Sequence, residues 1–594
     1  MRFAAKMSKA RRTKLFIAFF GIGLSAVAVV PFFFMGQSKG GAAFELRMPT
    51  THDMFLHYDQ MKSFYNGLAA GEIYPRWEED TNRGFGAPTT SFYPPGIYYL
   101  TSGFYGVTGD WLRTLLAAQL LMMIASAAAL YFYARRVMGR AAAITAMTAY
   151  VVFPYHLTDQ YHRGAIAELL GFVWMPLILI FCDRLMKAPN ADETTRISSR
   201  RAAFLDAAGL AICYGAFLWS HPPTAYQFTL GLGVYLLALS FMQREWKGLL
   251  VVSAAIALGV GISAAYLVSA AIEQNLIHKE FISETWPYHD TYIFVHSLYS
   301  AELYSGFFKL LDWIWISGTA LIAGVALLLL AVKRRALDPV PALKQRVVAW
   351  VILGGLASFM MVKASMPIGK LIPKLDIGVF TWRMLSITTL VTALLIGALV
   401  QAAAVASRNG SRLNRILFGS LAAFMMIGFL GFSAIAVVRP MINVPVFEPE
   451  TEHMNYATIP ATAPDDPGEL PDDMPRAELA SENGTVSVEQ WNPQHRVIHI
   501  ALTDDDVLLV KTFNFPGWSA AIDGQPEPIN TNPEMGDMEL KVREGKHIVT
   551  LDFLDTPARR YGTLITLASV GVIAALCVIY LGAGRPLDKD ATSS

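Results

Sequence analysis

The chain reads as an all-α polytopic membrane protein of about twelve transmembrane helices, with an extracytoplasmic β-sandwich-like domain near its C-terminus. Three observations predict this. Hydrophobic residues fill 54% of the 594 positions and charged residues only 16%, with a mean hydropathy of +0.39, more apolar surface than a soluble chain of this size can bury. Apolar stretches of bilayer length recur between residues 15 and 438 and once more at 561–583. Between residues 485 and 553 the pattern instead alternates with a period of two.

The first span follows the basic cluster MRFAAKMSKARRTK and runs from Leu15 to Met35, longer than the apolar core of a signal peptide, so it is read as a retained helix. Further spans are predicted near 112–134, 141–158, 166–185, 203–220, 224–241, 249–271, 313–332, 347–365, 382–405, 416–438 and 561–583. With the N-terminus cytoplasmic, the basic connections RRVMGR, SSRR, QREWKG, KRRALDPVPALKQR and SRNGSRLNR all fall on that side, as the positive-inside rule requires. The other side receives a large first loop at 36–111, a loop at 272–312, shorter ones at 159–165 and 366–381, and the polar segment 439–560.

That polar segment opens with the Pro/Asp-rich PATAPDDPGELPDDMP, read as a linker or extended surface loop. It continues with the alternating runs TVSVEQW, RVIHIAL, DVLLVKTFNF, WSAAIDG, MELKV and HIVTLDF, the pattern of a compact antiparallel domain. Trp491, Phe513, Phe515 and Trp518 are read as its core. The sequon at Asn483 lies on the same side. The chain thus divides into a membrane domain at 1–438, an extracytoplasmic β domain at 439–560, and a last span with a cytoplasmic tail at 561–594.

Net charge is +1 and no basic stripe with interleaved aromatics occurs, so no nucleic-acid partner is expected. Cys182, Cys213 and Cys577 all lie inside apolar runs, where they serve packing rather than disulfide or zinc chemistry.

The first outer loop holds the densest pattern. After His52 and Asp53, apolar or aromatic residues recur at Met54, Tyr58, Met61, Tyr65 and Leu68, the spacing of an amphipathic helix lying in the membrane interface with His57, Gln60, Ser63 and Asn66 on its polar face. Gly84, Gly86, Pro88, Pro94 and Pro95 then force turns, and Ile97 to Phe104 starts a second interfacial helix.

An acid directly after the first span, an amphipathic helix ending in GEIYPRW, a Gly/Pro turn and YPPGIYYL resemble the first outer loop of the GT-C membrane glycosyltransferases. RGAIAELLGFVWMPL, SHPPTA and IGVFTWRML are similar to segments of bacterial membrane proteins labelled 6-pyruvoyl-tetrahydropterin-synthase-related. PGWSAAIDG and EGKHIVTLDF resemble the outer domain of YfhO-type proteins. The GT-C resemblance implies a GT-C-like fold and transfer of a sugar from a polyprenyl-phosphate donor to an envelope glycan, lipid or protein. Such a transfer needs a carboxylate to take the acceptor's proton and cationic or hydrogen-bonding groups for the departing phosphate.

On that resemblance Asp53 stands at the position of the catalytic base. Met54 replaces the second acid of the family's Asp-Glu pair, which leaves a metal-assisted variant open, with a divalent ion on His52, Asp53 and His57. The competing reading of Asp53 is a helix N-cap. Glu168, an acid inside an apolar helix, is read as a second catalytic candidate or as the partner of Arg163. Arg163 is the candidate for the donor phosphate, since a guanidinium makes bidentate contacts. His52, His221, Arg383 and Tyr93 complete the substrate-binding candidates. His221 competes with a helix-terminating turn at Pro222 and Pro223, Arg383 with snorkelling to the interface, and Tyr93 with loop shaping.

The leading function is therefore a glycosyltransferase in a bacterial inner membrane, with both termini cytoplasmic. Two alternatives are a flippase of lipid-linked sugars, against which no internal repeat is evident, and a non-catalytic envelope assembly protein.

Overall fold

A computed structural model describes residues 9–37, 45–186, 193–285, 287–296, 305–331, 341–373, 375, 380–449, 456, 458–481 and 483–582. Parts of the predicted basic N-terminus, of the KRRALDPVPALKQR loop, of the IGVF segment, of the loop after residue 273 and of the C-terminal tail lie outside the described residues. Among those described, ten helices are long and apolar enough to cross a membrane. They are Arg11–Phe34, Trp111–Val137, Ile166–Leu185, Arg201–Ser220, Pro222–Gln243, Gly306–Leu328, Leu343–Met360, Thr381–Arg408, Arg412–Asn443 and Pro557–Ile579. An eleventh span results if Lys247–Ile262 and Ala264–Leu276, bent by 71°, are taken together. The chain is a multi-pass membrane protein.

The apolar run predicted at 141–158 is helical but broken. Arg140–Val152 stops at Phe153, whose backbone is extended at ψ 136°, and Pro154 opens the short helix Pro154–Thr158. Proline carries no N–H and forces the preceding residue out of the helical region, so the break falls where the sequence places FPY. The chain then makes one π-helical turn, Asp159–Arg163, and reverses at Gly164 with φ 64° before Ile166.

The Thr381–Arg408 helix is the bundle's central element, with 83% of its most apolar window buried, whereas Pro557–Ile579 is peripheral at 17%. The Met54–Ala69 helix packs on the Gly96–Thr108 helix. Its polar residues His57, Gln60 and Ser63 are buried, and only Asn66 of the predicted polar face is exposed. Its polar side therefore faces protein as well as its apolar one.

The C-terminal strands are β1 (Ala477–Leu479), β2 (Gly484–Trp491), β3 (His495–Leu502), β4 (Asp506–Phe513), β5 (Trp518–Ile522), β6 (Gln525–Glu527), β7 (Asn530–Thr531), β8 (Asp537–Val542) and β9 (Gly545–Phe553). They form two antiparallel sheets, ordered β1-β4-β8-β7 and β2-β3-β9-β5-β6. Alternation puts Ile498, Ile500 and Leu502 of β3 and Val549, Leu551 and Phe553 of β9 on one inner face, with Leu508, Val510, Met538 and Leu540 opposite, in one shared core. Phe513, Phe515 and Trp518 belong to that core, and Trp491 lies at its edge. The Pro/Asp-rich stretch is packed against the sandwich rather than free, because Ala463 and Leu470, with Ile459 just before it, enter the same core.

Candidate functional site

The site is assembled by backbone pairing between two distant loops. The π-turn and the left-handed Gly164 present the carbonyls of His162 and Arg163 to the N–H groups of His52 and Asp53, at 3.1 and 2.7 Å. Asp53 thus stands at the start of the Met54–Ala69 helix, but its side chain makes no capping hydrogen bond. The carboxylate turns instead towards Arg163, with Oδ2 at 3.6 Å from Nη2.

Arg163 is the hub. Its Nη1 donates to Asp159 Oδ1 and to Glu168 Oε2, both at 2.6 Å, and lies 3.3 Å from the Tyr155 hydroxyl. Tyr155 in turn donates to Glu168 Oε1 at 2.9 Å. Arg383, in the first turn of the central helix, brings Nε to 3.5 Å from Glu168 Oε2 and lies over the Phe380 ring. Three carboxylates and two guanidiniums from four separate segments therefore meet at one end of the bundle. Among those carboxylates, Asp159 and Glu168 are fully buried, and the Asp53 side chain is 38% exposed.

Asp159 was not singled out in the sequence. Burial, reinforced by the Glu168 charge, pushes its carboxyl well above the usual carboxylate range, and its Oδ2 is buried without a hydrogen-bond partner. The one signal pointing to it is a proline-broken apolar run followed at once by an acid, an arginine and a second acid.

The remaining candidates surround this cluster. His221 caps the Pro222–Gln243 helix, its Nδ1 accepting from Thr224 N at 3.4 Å and lying 2.8 Å from Thr224 Oγ1. Burial first, then the Arg383 and Arg163 charges, hold its pKa well below that of a free histidine, so the ring is neutral with its proton on Nε2. Tyr93 packs edge-on against His57 at 5.7 Å. Burial and the Asp53 charge raise its phenol against the opposing pull of Arg383 and Arg163, so it remains a donor. His52 packs against Phe307, and burial lowers its pKa.

The expected ligand set of His52, Asp53 and His57 does not form. His57 points into the protein, Nδ1 at 3.2 Å from the Tyr98 hydroxyl, His52 faces Phe307, and the Asp53 carboxylate faces Arg163. No group of three or more His, Cys, Asp or Glu side chains suited to a metal ion occurs among the described residues.

Chemically, the cluster offers one accessible carboxylate, a sealed ion network beneath it, and cationic and neutral hydrogen-bond donors beside it. No protein-family model and no curated protein matches the sequence. Among solved structures, the chain is similar to the archaeal oligosaccharyltransferase AglB from Archaeoglobus fulgidus in complex with an inhibitory peptide and a dolichol-phosphate. The TM-score is 0.44 at 12% identity, covering 74% of this chain and 57% of that one. The Archaeoglobus fulgidus oligosaccharyltransferase complexed with Zn and sulfate overlays with a TM-score of 0.43 at 13% identity, over 73% of this chain and 54% of that one. ArnT from Cupriavidus metallidurans bound to undecaprenyl phosphate overlays with a TM-score of 0.28 at 14% identity, over 74% and 90%. The chain spans a little over half the length of the two oligosaccharyltransferase chains.

Proposed function

We propose that the chain is a GT-C-like membrane glycosyltransferase that moves a sugar from a polyprenyl-phosphate donor to an envelope acceptor on the non-cytoplasmic face. The observation that carries the reading is the exposure of Asp53 above an otherwise sealed cluster. A general base has to reach the acceptor, and Asp53 alone of the three carboxylates around Arg163 is open to do so. The likeness of the first outer loop to that of GT-C enzymes supports the same residue.

In this reading Asp53 removes the acceptor hydroxyl's proton, and the freed oxygen attacks the anomeric carbon. The bond from that carbon to the phosphate oxygen breaks, and the lipid phosphate leaves with the electron pair. Arg383, the Nε2–H of neutral His221 and the Tyr93 phenol are the donors for that departing charge. Glu168 and Asp159, both fully buried, position Arg163 rather than contact substrate.

The test is to incubate purified protein with a panel of polyprenyl-phosphate sugars and envelope acceptors, beside Asp53→Asn. Sugar transfer by the wild type, reduced about 10²- to 10⁴-fold in the variant, is the expected result. Unchanged transfer in Asp53→Asn removes it as the base, and translocation of lipid-linked sugar without transfer replaces the reading with a flippase.

A further inference from the structure

We infer that the Arg163 guanidinium is the site's built-in cation, filling the place among three carboxylates that a divalent metal ion would take, so that the cluster binds no such ion. The inference rests on the transfer-site reading for its meaning, but its test reads ion binding alone.

Asp53, Asp159 and Glu168 come from three separate segments and converge on one guanidinium, at 3.6, 2.6 and 2.6 Å. Oxygen-ligated divalent ions need carboxylates gathered around a common centre at about 2.0–2.6 Å, and here that centre is occupied by a side chain. The side chain is held by its ion pairs with Asp159 and Glu168 and by the Tyr155 hydroxyl, which contacts its Nη1 and donates to Glu168, while the Asp53 N–H bond to the Arg163 carbonyl at 2.7 Å fixes the backbone from which it projects. Two of the three carboxylates have no exposed surface, which leaves a hydrated ion no direct approach to them. Arg163 together with Arg383, 3.5 Å from Glu168, also supplies the two positive charges that a divalent ion would bring. Removing the guanidinium alone would leave three facing carboxylates.

Titration of the purified full-length chain with Mn²⁺, followed by electron paramagnetic resonance, tests this. The wild type is expected to show no tight site that Asp53→Asn abolishes. Arg163→Ala is expected to gain one Mn²⁺ per chain, with affinity falling on the order of tenfold or more when Glu168→Gln is added. A wild-type Mn²⁺ site lost in Asp53→Asn overturns the inference, whether or not Arg163→Ala folds. A folded Arg163→Ala that gains no site overturns it as well. Neither result depends on whether sugar is transferred, so failure here is distinct from failure of the transferase reading.

Discussion

Asp53 occupies an N-cap position without capping, and that detail separates catalysis from stability at this residue. A lost cap costs about 1 kcal/mol, but no capping bond exists to lose. Its contact with Arg163, 3.6 Å long and partly exposed, is worth about 0–1 kcal/mol. Asp53→Asn is therefore expected to abolish most transfer while leaving the thermal midpoint within a few degrees of wild type. A large fall in the midpoint would recast the residue as structural. Glu168 behaves oppositely. It is fully buried and paired to Arg163, so Glu168→Ala, which removes one partner of a buried ion pair, is expected to cost about 3–5 kcal/mol by denaturant unfolding. Protonation gives a third handle. Burial lowers His57 from 6.5 to about 4 and His162 likewise to about 4. Their folded pKa values lie below the unfolded ones, so their contribution is intact above about pH 6.5 and is lost as pH falls towards 4. Melting curves across that window should show a declining midpoint, and His57→Gln should flatten the decline. An unchanged slope in the variant would mean that His57 is not the protonating group. Arg163, Glu168 and Arg383 stood out in the sequence because charge in or beside an apolar run is costly and so conspicuous, and Asp53 stood out through the likeness of its loop to that of GT-C enzymes. The Arg163–Glu168 pair was one of the two readings the sequence offered for Glu168, and it forms; the convergence of that pair with Asp53, Asp159 and Arg383 was not legible, since it depends on which loops meet.

Elements set that meeting. Apolar run length located the membrane helices, and a period of two located β2, β3, β4, β5, β8 and β9; in β3 and β4 that alternation follows one buried face, whereas in β2 it does not. Periodicity has a lower limit of length. The three strands it missed, β1, β6 and β7, have three, three and two residues, too few to establish a period. The break at Pro154 and the π-turn after it were missed for a different reason. Hydropathy measures how apolar a segment is and not whether its backbone is continuous, although FPY held the cue. Gly164 is the hinge of the arrangement. At φ 64° a side chain is strained, and an added Cβ would sit 2.2 Å from Thr51 Oγ1 and 3.3 Å from Met54 Cβ. Gly164→Ala is expected to destabilise the protein by roughly 1–3 kcal/mol from overpacking and to lower transfer further by displacing His52 and Asp53 from the carbonyls that hold them. Calorimetry and the transfer assay on one preparation check both effects, and a variant with wild-type values in each would disconnect the turn from the site.

At the scale of the whole molecule, the same loop that carries Asp53 also joins the membrane helices to the sandwich. Past the Met54–Ala69 helix, Trp77 is buried among Trp518 and Phe553, at 5.4 and 5.2 Å between ring centres. The Phe85 ring packs at a tilt against Phe513, 5.3 Å between ring centres, and the Phe85 carbonyl accepts a hydrogen bond from the Phe513 N–H at 2.9 Å. A second tie crosses nearby. Arg559, fully buried where β9 runs into the last helix, binds Glu273 at the end of the bent span through Nε and Nη2, at 3.2 and 3.1 Å. The sandwich core is therefore completed by residues from the membrane domain, and the first outer loop is clamped between the two. Trp77→Ala removes a buried indole, at a cost of about 3–5 kcal/mol, and its consequence is directional. The sandwich should loosen, with faster hydrogen exchange in β5 and β9, while the membrane helices keep their protection. Because the loop leads back to the Met54–Ala69 helix, transfer should fall as well, although Trp77 lies outside the cluster. If exchange rises in β5 and β9 with transfer unaffected, the sandwich is an independent lid or acceptor platform. If both change together, it is the support that holds Asp53 at the mouth of the site.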